Sequence, residues 1–457
     1  MIPLKTLRYE PPRAVIIGLD GTPCSLINRF VADGRMPNFA ALMQTGSLAG
    51  MESVLPTVSS VAWASIVTGC NPGKHNIYGF IDRVPDTHEM YIPTSRTMRA
   101  RTWTDIFSGM GRRVFSMGVP TTYPPGAVNG ILISGFLAPD LSRGTYPAAV
   151  AGELSAMGYR IDIDARTARR DREQFLDDVF QAMERRFNAM FHFLDREPWG
   201  LFVAHVLETD RLHHFLWGLM EDGSEAYLPW FHRFYARVDR AIGEVADRLD
   251  DHTLLMIVSD HGFCKLKYEV HLNYWLREAG FLRFRGRTAK GLRDLAPDTQ
   301  CYSLLPGRIY LSLRGRERGG RVEPGAEYQA LRQDIAEGLM QIRNPVTGEP
   351  VIQRIFRREE LYAGDAFDLA PDLIAMPAAG YDLKGGFDKE VLMERGPMNG
   401  THTFSDAMFF INRKVDLSRR VRVIDVFPTL FDAVGLDVPG GVDGRSVVAG
   451  RGNQVSA

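Results

Sequence analysis

Three short apolar runs constrain the fold of this chain more than any other feature. Ala14-Val15-Ile16-Ile17-Gly18-Leu19, Leu201-Phe202-Val203-Ala204-His205-Val206 and Leu254-Leu255-Met256-Ile257-Val258 show almost no alternation between apolar and polar residues. A strand with one wet face alternates, so a run that stays apolar is covered on both faces. Helical patterns separate the runs. Ser25 to Gln44 reads as helix broken near Gly34-Arg35-Met36-Pro37, and Tyr227 to Leu249 as another. Glu173 to Arg196 carries Phe175, Val179, Met183, Phe187, Met190 and Leu194 on one stripe. Arg113 to Met117 and Gly130 to Ile133 supply two further strands. Buried strands alternating with helices predict an α/β fold: a doubly wound, Rossmann-like, mostly parallel sheet with helices on both faces.

The character changes after Asp260-His261-Gly262-Phe263. Arg-rich stretches fill 283–293 and 314–321, a helical pattern runs from Tyr328 to Ile342, and a turn-rich Asn344-Pro345-Val346-Thr347-Gly348 follows. The core pattern returns with Met408-Phe409-Phe410-Ile411 and a helix over Ile424 to Val434. With 457 residues available, we expect a core built from 1–264 and 400–457 and an α+β cap inserted at 265–399. The net charge of −1 offers no field for nucleic acid or an anionic membrane, so no stable nucleic-acid complex is expected. No run approaches the ~18 apolar residues of a membrane span. Lys5 and Arg8 precede no apolar leader segment, and Cys24, Cys70, Cys264 and Cys301 form no CxxC pair. These features predict a cytoplasmic protein and leave a homo-oligomer open.

In doubly wound sheets, ligands collect beyond the carboxyl ends of the strands. Here the three buried runs end there in acidic or imidazole residues: Asp20, Glu208-Thr209-Asp210 with His214 four residues on, and Asp260-His261. On a helical turn Asp210 and His214 share one face. Gly262 permits the bend that turns Asp260 and His261 toward one cluster. Carboxylates and imidazoles without thiolates are the donors for two divalent ions such as zinc or manganese. A nucleophile candidate is Ser59, placed after Pro56 and ahead of a helix over Ser60 to Thr68 that Gly69 ends. Exposed N–H groups at a helix start favour negative charge there. Taken singly, such a serine is more often an N-cap, and such an Asp or His a loop cap. His205 reads as a core histidine, and His213 points about 100° away from His214. Glu208 is placed to touch a ligand histidine, and His271 to line the pocket or to pack. Trp63 and Phe80 either flank a leaving group or belong to the core.

The motifs occur in the order of a known family. Ile17-Gly18-Leu19-Asp20-Gly21 comes first, then Pro56-Thr57-Val58-Ser59, Thr68-Gly69 and Pro72-Gly73-Lys74-His75. Asp210 to His214, Ser259-Asp260-His261-Gly262 and Gly400-Thr401-His402 follow. In these the chain resembles the alkaline phosphatase superfamily, in its type I phosphodiesterase/nucleotide pyrophosphatase and related phosphohydrolase branch. The resemblance implies an alkaline-phosphatase-like core and two metal ions, zinc first and manganese as the alternative. It assigns one ion to Asp210, His214 and His402, and the other to Asp20, Asp260 and His261, with Ser59 joining the second set. Ser59 then attacks phosphorus, and water hydrolyses the phosphoseryl intermediate. Locally, His402 would read as a loop histidine; only the resemblance nominates it.

Two departures bear on the substrate. The family's nucleotide pyrophosphatases use Thr where Ser59 stands. They also place a phosphate-binding Asn where this chain has Phe80. Lys74 and Arg83 are candidates for holding the non-bridging oxygens instead. A small phosphoester, nucleotide-like or another diester, is the expected substrate. Phosphomonoesterase, phosphonate hydrolase and phosphomutase are the alternatives, and a catalytically silent binding protein on this fold is the rival of another class. A sulfatase is disfavoured because Ser59-Ser60-Val61-Ala62-Trp63 lacks that branch's modification motif.

Overall fold

The computed structural model describes residues 13–286 and 289–448, so the N-terminal stretch read above as carrying no leader lies outside the described residues. Its centre is a nine-stranded sheet. Leu254–Val258, Ala14–Leu19, Leu201–Val206, Val114–Met117 and Gly130–Ile133 lie side by side and parallel. Ala407–Ile411 runs antiparallel between Leu254–Val258 and Ser47–Glu52, and Thr145–Tyr146 closes the far edge antiparallel. The three runs that stay apolar are adjacent in the middle of the sheet, as their coverage on both faces requires.

Alternate residues of Ala14–Leu19 feed different cores. Val15, Ile17 and Leu19 join a layer with Phe30, Phe39, Phe187 and Phe234, whereas Ala14 and Ile16 join Trp63, Phe107 and Phe427 on the other face. The first layer is supplied by Cys24–Ala32, Pro37–Thr45, Arg172–Arg196, Glu208–Glu221 and Leu228–Ala246. The second is supplied by Ser59–Thr68, Trp103–Gly109 and Val426–Ala433. The fold is therefore doubly wound, as the apolar runs predict. Arg172–Arg196 starts where Asp171 accepts from the Gln174 N–H, and its whole predicted stripe is buried. Full burial of each such Phe, Met or Leu contributes about 1.5–3 kcal/mol.

A third core, including Leu272, Ile309, Leu311, Ile335 and Leu373, lies within the segment read as the insertion. Its four-stranded antiparallel sheet runs Cys301–Leu304, Arg308–Leu311, Leu373–Pro377, Ile352–Arg357, with the Ala326–Met340 helix alongside. At the neck, Gly262–Lys265 pairs antiparallel with Gly400–Thr403, so the two ends of the segment meet. A hairpin from earlier in the chain, Asp82–Arg83 with Met90–Tyr91, packs against this unit through Tyr310 and Glu317.

Candidate active site

Register brings the strand ends together. Leu19 lies opposite Val206, and Gly18 opposite Val258, so the residues that follow emerge at one edge of the sheet. Asp20 is the next residue of the first strand. Asp210 lies in the first turn of Glu208–Glu221, and Asp260 follows Ser259 after the third strand.

Asp20 is buried and held from several sides. His205 Nε2 lies 2.7 Å and Trp63 Nε1 3.0 Å from Oδ2, and the Thr209 hydroxyl donates to the Asp20 carbonyl at 2.6 Å. Oδ1 is left facing the Ser59 hydroxyl at 3.2 Å and His261 Nε2 at 3.6 Å. His205 and Trp63 thus have roles that the sequence reading missed: both are in the core, and both orient Asp20. The signal available was a histidine inside an otherwise apolar buried run, since a buried ring nitrogen has to find a partner. Gly18 belongs to the same arrangement, because a Cβ there would come within 2.4 Å of the Trp63 ring.

Ser59 begins the Ser59–Thr68 helix, whose N-cap is Val58 and has no side-chain cap. Its hydroxyl does not cap the helix. It lies between Asp20 and His261, 3.3 Å from His261 Nε2. Behind it, buried His75 ties the helix to the next turn, with Nε2 2.9 Å from the Ser65 hydroxyl and Nδ1 accepting the Ile77 N–H.

Asp210 and His214 share a helix face, with His214 Nε2 3.4 Å from Asp210 Oδ1. His402 arrives from the strand paired with Gly262–Lys265, opposite Phe263, and the His402 ring stacks on that of His261 at a centroid distance of 3.6 Å. His402 Nε2 then lies 3.2 Å from Asp210 Oδ1 and 3.1 Å from His214 Nε2. Gly400 makes this approach sterically feasible, since a Cβ would meet the His213 carbonyl at 2.3 Å.

These donors fit divalent cations. His214, His402 and His261 direct Nδ1 at the carbonyls of Gly400, Thr57 and Gly262, at 3.1, 3.3 and 3.1 Å. Donation from Nδ1 leaves each Nε2 with a lone pair aimed into the cluster. Asp210 Oδ1 and Asp260 Oδ2 are buried carboxylate oxygens without a hydrogen bond. Atoms of Asp210, His214 and His402 lie within 4.8 Å of one another, as do atoms of Asp20, Asp210 and His261, so Asp210 stands between the two groups. Asp260 Oδ1 accepts the Gly21 N–H at 3.0 Å, while Oδ2 lies 3.3 Å from His261 Nε2. Charge follows the crowding. Burial and the neighbouring Asp20 push Asp260 well above the usual carboxylate range, and burial takes His261 down to about 3. In Asp210 the effect of burial is overridden by His214 and His402, which hold it well below that range.

Several sequence expectations land elsewhere. Lys74 is bonded to Asp443 and the Gly441 carbonyl, away from the cluster. Arg83 is buried against Glu317 at 2.9 Å and lies over the Tyr310 ring, so it is neither a solvated charge nor a group facing the cluster. His271 pairs with Glu394 at 2.9 Å. Glu208 touches no ligand histidine; both of its oxygens receive Arg186 Nε, at 2.9 and 2.8 Å. His213 binds the Gly21 carbonyl and the Tyr235 hydroxyl behind the cluster. Most arginines of the insertion are paired, among them Arg316 on buried Asp372. Phe80 lines a cavity of about 680 Å³ together with His214 and His402, and its ring meets Phe136 edge-on. Over Phe136 lies Arg211, unremarked in the sequence, with one guanidinium nitrogen 3.2 Å from Asp210 Oδ2 and another 2.7 Å from Asp162.

No curated protein matches the chain. Among solved structures, phosphonoacetate hydrolase from Sinorhizobium meliloti 1021, in complex with phosphonoformate, is similar with a TM-score of 0.62 and 18% identity, over 93% of this chain and 96% of that one. Murine ectonucleotide pyrophosphatase/phosphodiesterase 5 is similar with a TM-score of 0.53 and 12% identity, over 93% and 96%. At these identities the likeness concerns the fold: a large, mostly parallel sheet with smaller sheets added. Residues 14–405 match the type I phosphodiesterase/nucleotide pyrophosphatase model, and this span holds every strand end and histidine of the cluster. The chain belongs to that family of phosphoester hydrolases.

Proposed function

We propose that this chain is a two-metal phosphodiesterase that works through a phosphoseryl intermediate on Ser59. The observation that carries the reading is the position of the Ser59 hydroxyl, turned away from helix capping and set 3.2 Å from Asp20 and 3.3 Å from His261. Asp210, His214 and His402 would hold one cation, and Asp20, Asp260 and His261 the other, zinc or manganese. When bound, the cations supply positive charge to the phosphoryl oxygens and favour ionisation of a nearby hydroxyl. The protein does the positioning. Ser59 Oγ bonds to phosphorus as the bond to the first alcohol breaks; water then cleaves the seryl phosphate and restores the hydroxyl. The start of the Ser59–Thr68 helix places partial positive charge beside that oxygen. Arg211 takes the role first given to Lys74 and Arg83: Asp162 holds its Nε and Nη2, and its Nη1, at the cluster beside Asp210, would turn toward a phosphoryl oxygen. The 265–399 segment acts as the cap that selects the ester arm.

The test pairs metal content with rates on bis-p-nitrophenyl phosphate, p-nitrophenyl phosphate and phosphonoacetate after dialysis and re-addition of zinc or manganese. About two ions per chain and faster diester cleavage are expected. Faster cleavage of the monoester or the phosphonate moves the assignment to that substrate. Ser59→Ala should abolish turnover with metal content retained, and an unchanged rate in that variant refutes the covalent step.

A further inference from the structure

Side-chain positive charge at the cluster is matched by a carboxylate placed behind it. Among the described residues, Arg211 is the one lysine or arginine paired with Asp20, Asp210 or Asp260, through Nη1 at 3.2 Å from Asp210 Oδ2. Its other edge meets Asp162 in a two-point pairing, with Nε 3.1 Å from Oδ1 and Nη2 2.7 Å from Oδ2. Asp162 is itself fixed. The Ile163 N–H donates to its Oδ1 at 2.7 Å, and buried Arg186 donates from Nη2 to the carbonyls of Arg160 and Ile161 just before it. The Phe136 ring lies under Arg211, its centroid 5.7 Å from the guanidinium carbon. The side chains of Arg211 and Asp162 are 20% and 29% exposed, so water only partly screens the pair. Along the adjoining cavity the pattern repeats, with Lys384 2.5 Å from Asp382 and Arg354 2.8 Å from Glu360.

This pairing bears on the charge of the substrate. A phosphomonoester carries close to two negative charges near neutral pH, and a diester carries one. A carboxylate behind the arginine repels both, and it repels the dianion about twice as strongly. We infer that Asp162 is a positioning residue that also sets specificity: it holds Arg211 at the cluster while cancelling its charge, and so favours monoanionic diesters over dianionic monoesters. The inference rests on the phosphoesterase reading above and adds the residue that selects the substrate's charge at that site. Asp162 acts through Arg211 and touches no substrate. One further unit of charge across about 7 Å, the span of a guanidinium with a hydrogen bond on either side, is worth about tenfold at an effective dielectric constant of about 35.

The experiment uses the full chain reloaded with zinc. Values of kcat/KM are measured on p-nitrophenyl phosphate and bis-p-nitrophenyl phosphate, and inorganic phosphate and dimethyl phosphate are titrated calorimetrically at alkaline pH as dianionic and monoanionic probes. Asp162→Asn keeps the shape of the side chain and removes its charge. It should raise the monoester-to-diester ratio of kcat/KM about tenfold, and the affinity for phosphate relative to dimethyl phosphate by about the same factor. Asp162→Ser, which removes the charge by another route, should shift both ratios the same way, whereas Asp162→Glu should keep those of the parent. Asp162→Asn combined with Arg211→Ala restores the parent's net charge and should bring both ratios back toward the parent's. Losses that fall equally on both esters and both probes show a merely structural role, and with turnover of the diester by the parent intact they overturn the inference and leave the phosphodiesterase reading standing. A metal-loaded parent that hydrolyses neither ester and binds neither probe overturns both.

Discussion

Removing Glu208 should destabilise the whole core without touching a cation ligand. Glu208 and Arg186 have side chains 2% and 1% exposed, and both Glu208 oxygens lie within 2.9 Å of Arg186 Nε. The guanidinium also reaches the Tyr159 hydroxyl at 2.7 Å and the Ile161 carbonyl at 3.1 Å, so it stays in place when its carboxylate goes. A guanidinium does not neutralise at accessible pH, and it is left buried and unpaired. Removing one partner of a buried pair costs about 3–5 kcal/mol, whereas replacing both with apolar residues is close to neutral or better. Glu208→Ala should therefore shift the urea midpoint strongly, and Arg186→Met with Glu208→Leu should recover most of the loss. The assay is urea unfolding of the metal-free chain, followed by intrinsic fluorescence and circular dichroism, with midpoints compared at constant slope. Glu208 also opens the helix that carries Asp210 and His214, so zinc affinity should fall only as far as that helix loosens. If Glu208→Ala costs less than about 1 kcal/mol yet abolishes zinc binding, Glu208 acts on the ligands directly and the reasoning from the buried pair is wrong.

Other outcomes follow from the same contacts. His205→Phe removes a donor to Asp20 and should weaken zinc binding by roughly 10–100-fold, as losses behind a metal ligand usually do; unchanged affinity in a zinc titration would count against that role. Arg211→Ala should lower kcat/KM on the diester by about 10²-fold, the scale of losing one positioned charge-stabilising donor. Equal values for variant and parent would return the non-bridging oxygens to another group. In His75, burial holds the imidazole down to about 3, against about 6.5 when unfolded. The unfolded chain binds the proton first, so this stability is present above pH 6.5 and drains away as pH falls. By pH 5 the loss is about 2 kcal/mol. His75→Gln should flatten the stability slope between pH 7 and 5 relative to the parent, and an unaltered slope would place the titration elsewhere.

What the sequence made legible and what it did not divide along one physical line. The apolar runs located the central strands and, by where they stop, the edge at which Asp20, Asp210 and Asp260 emerge, because burial on both faces is written in the run itself. Helical spacing likewise placed His214 beside Asp210. Long-range pairings have no such trace. His402 reaches the cluster because Gly400–Thr403 pairs with Gly262–Lys265, a register that no local pattern records, and only the family's motif order nominated it. Arg83 and Glu208 each carry a charge that burial had to neutralise, and their partners, Glu317 and Arg186, are fixed by how layers stack. Lys74 and Arg83 were attractive for their charge alone, yet the fold holds each on a carboxylate away from the cluster, Asp443 and Glu317. Arg211 differs in position rather than in freedom: Asp162 holds two of its nitrogens, and the third lies against Asp210 at the cluster itself. The cavity beside the cluster carries the point furthest, since its walls draw on Leu55-Pro56 and Leu305-Pro306, which sit far apart in the chain. An apolar residue in a loop says little until the fold shows which other residues face it across the cavity.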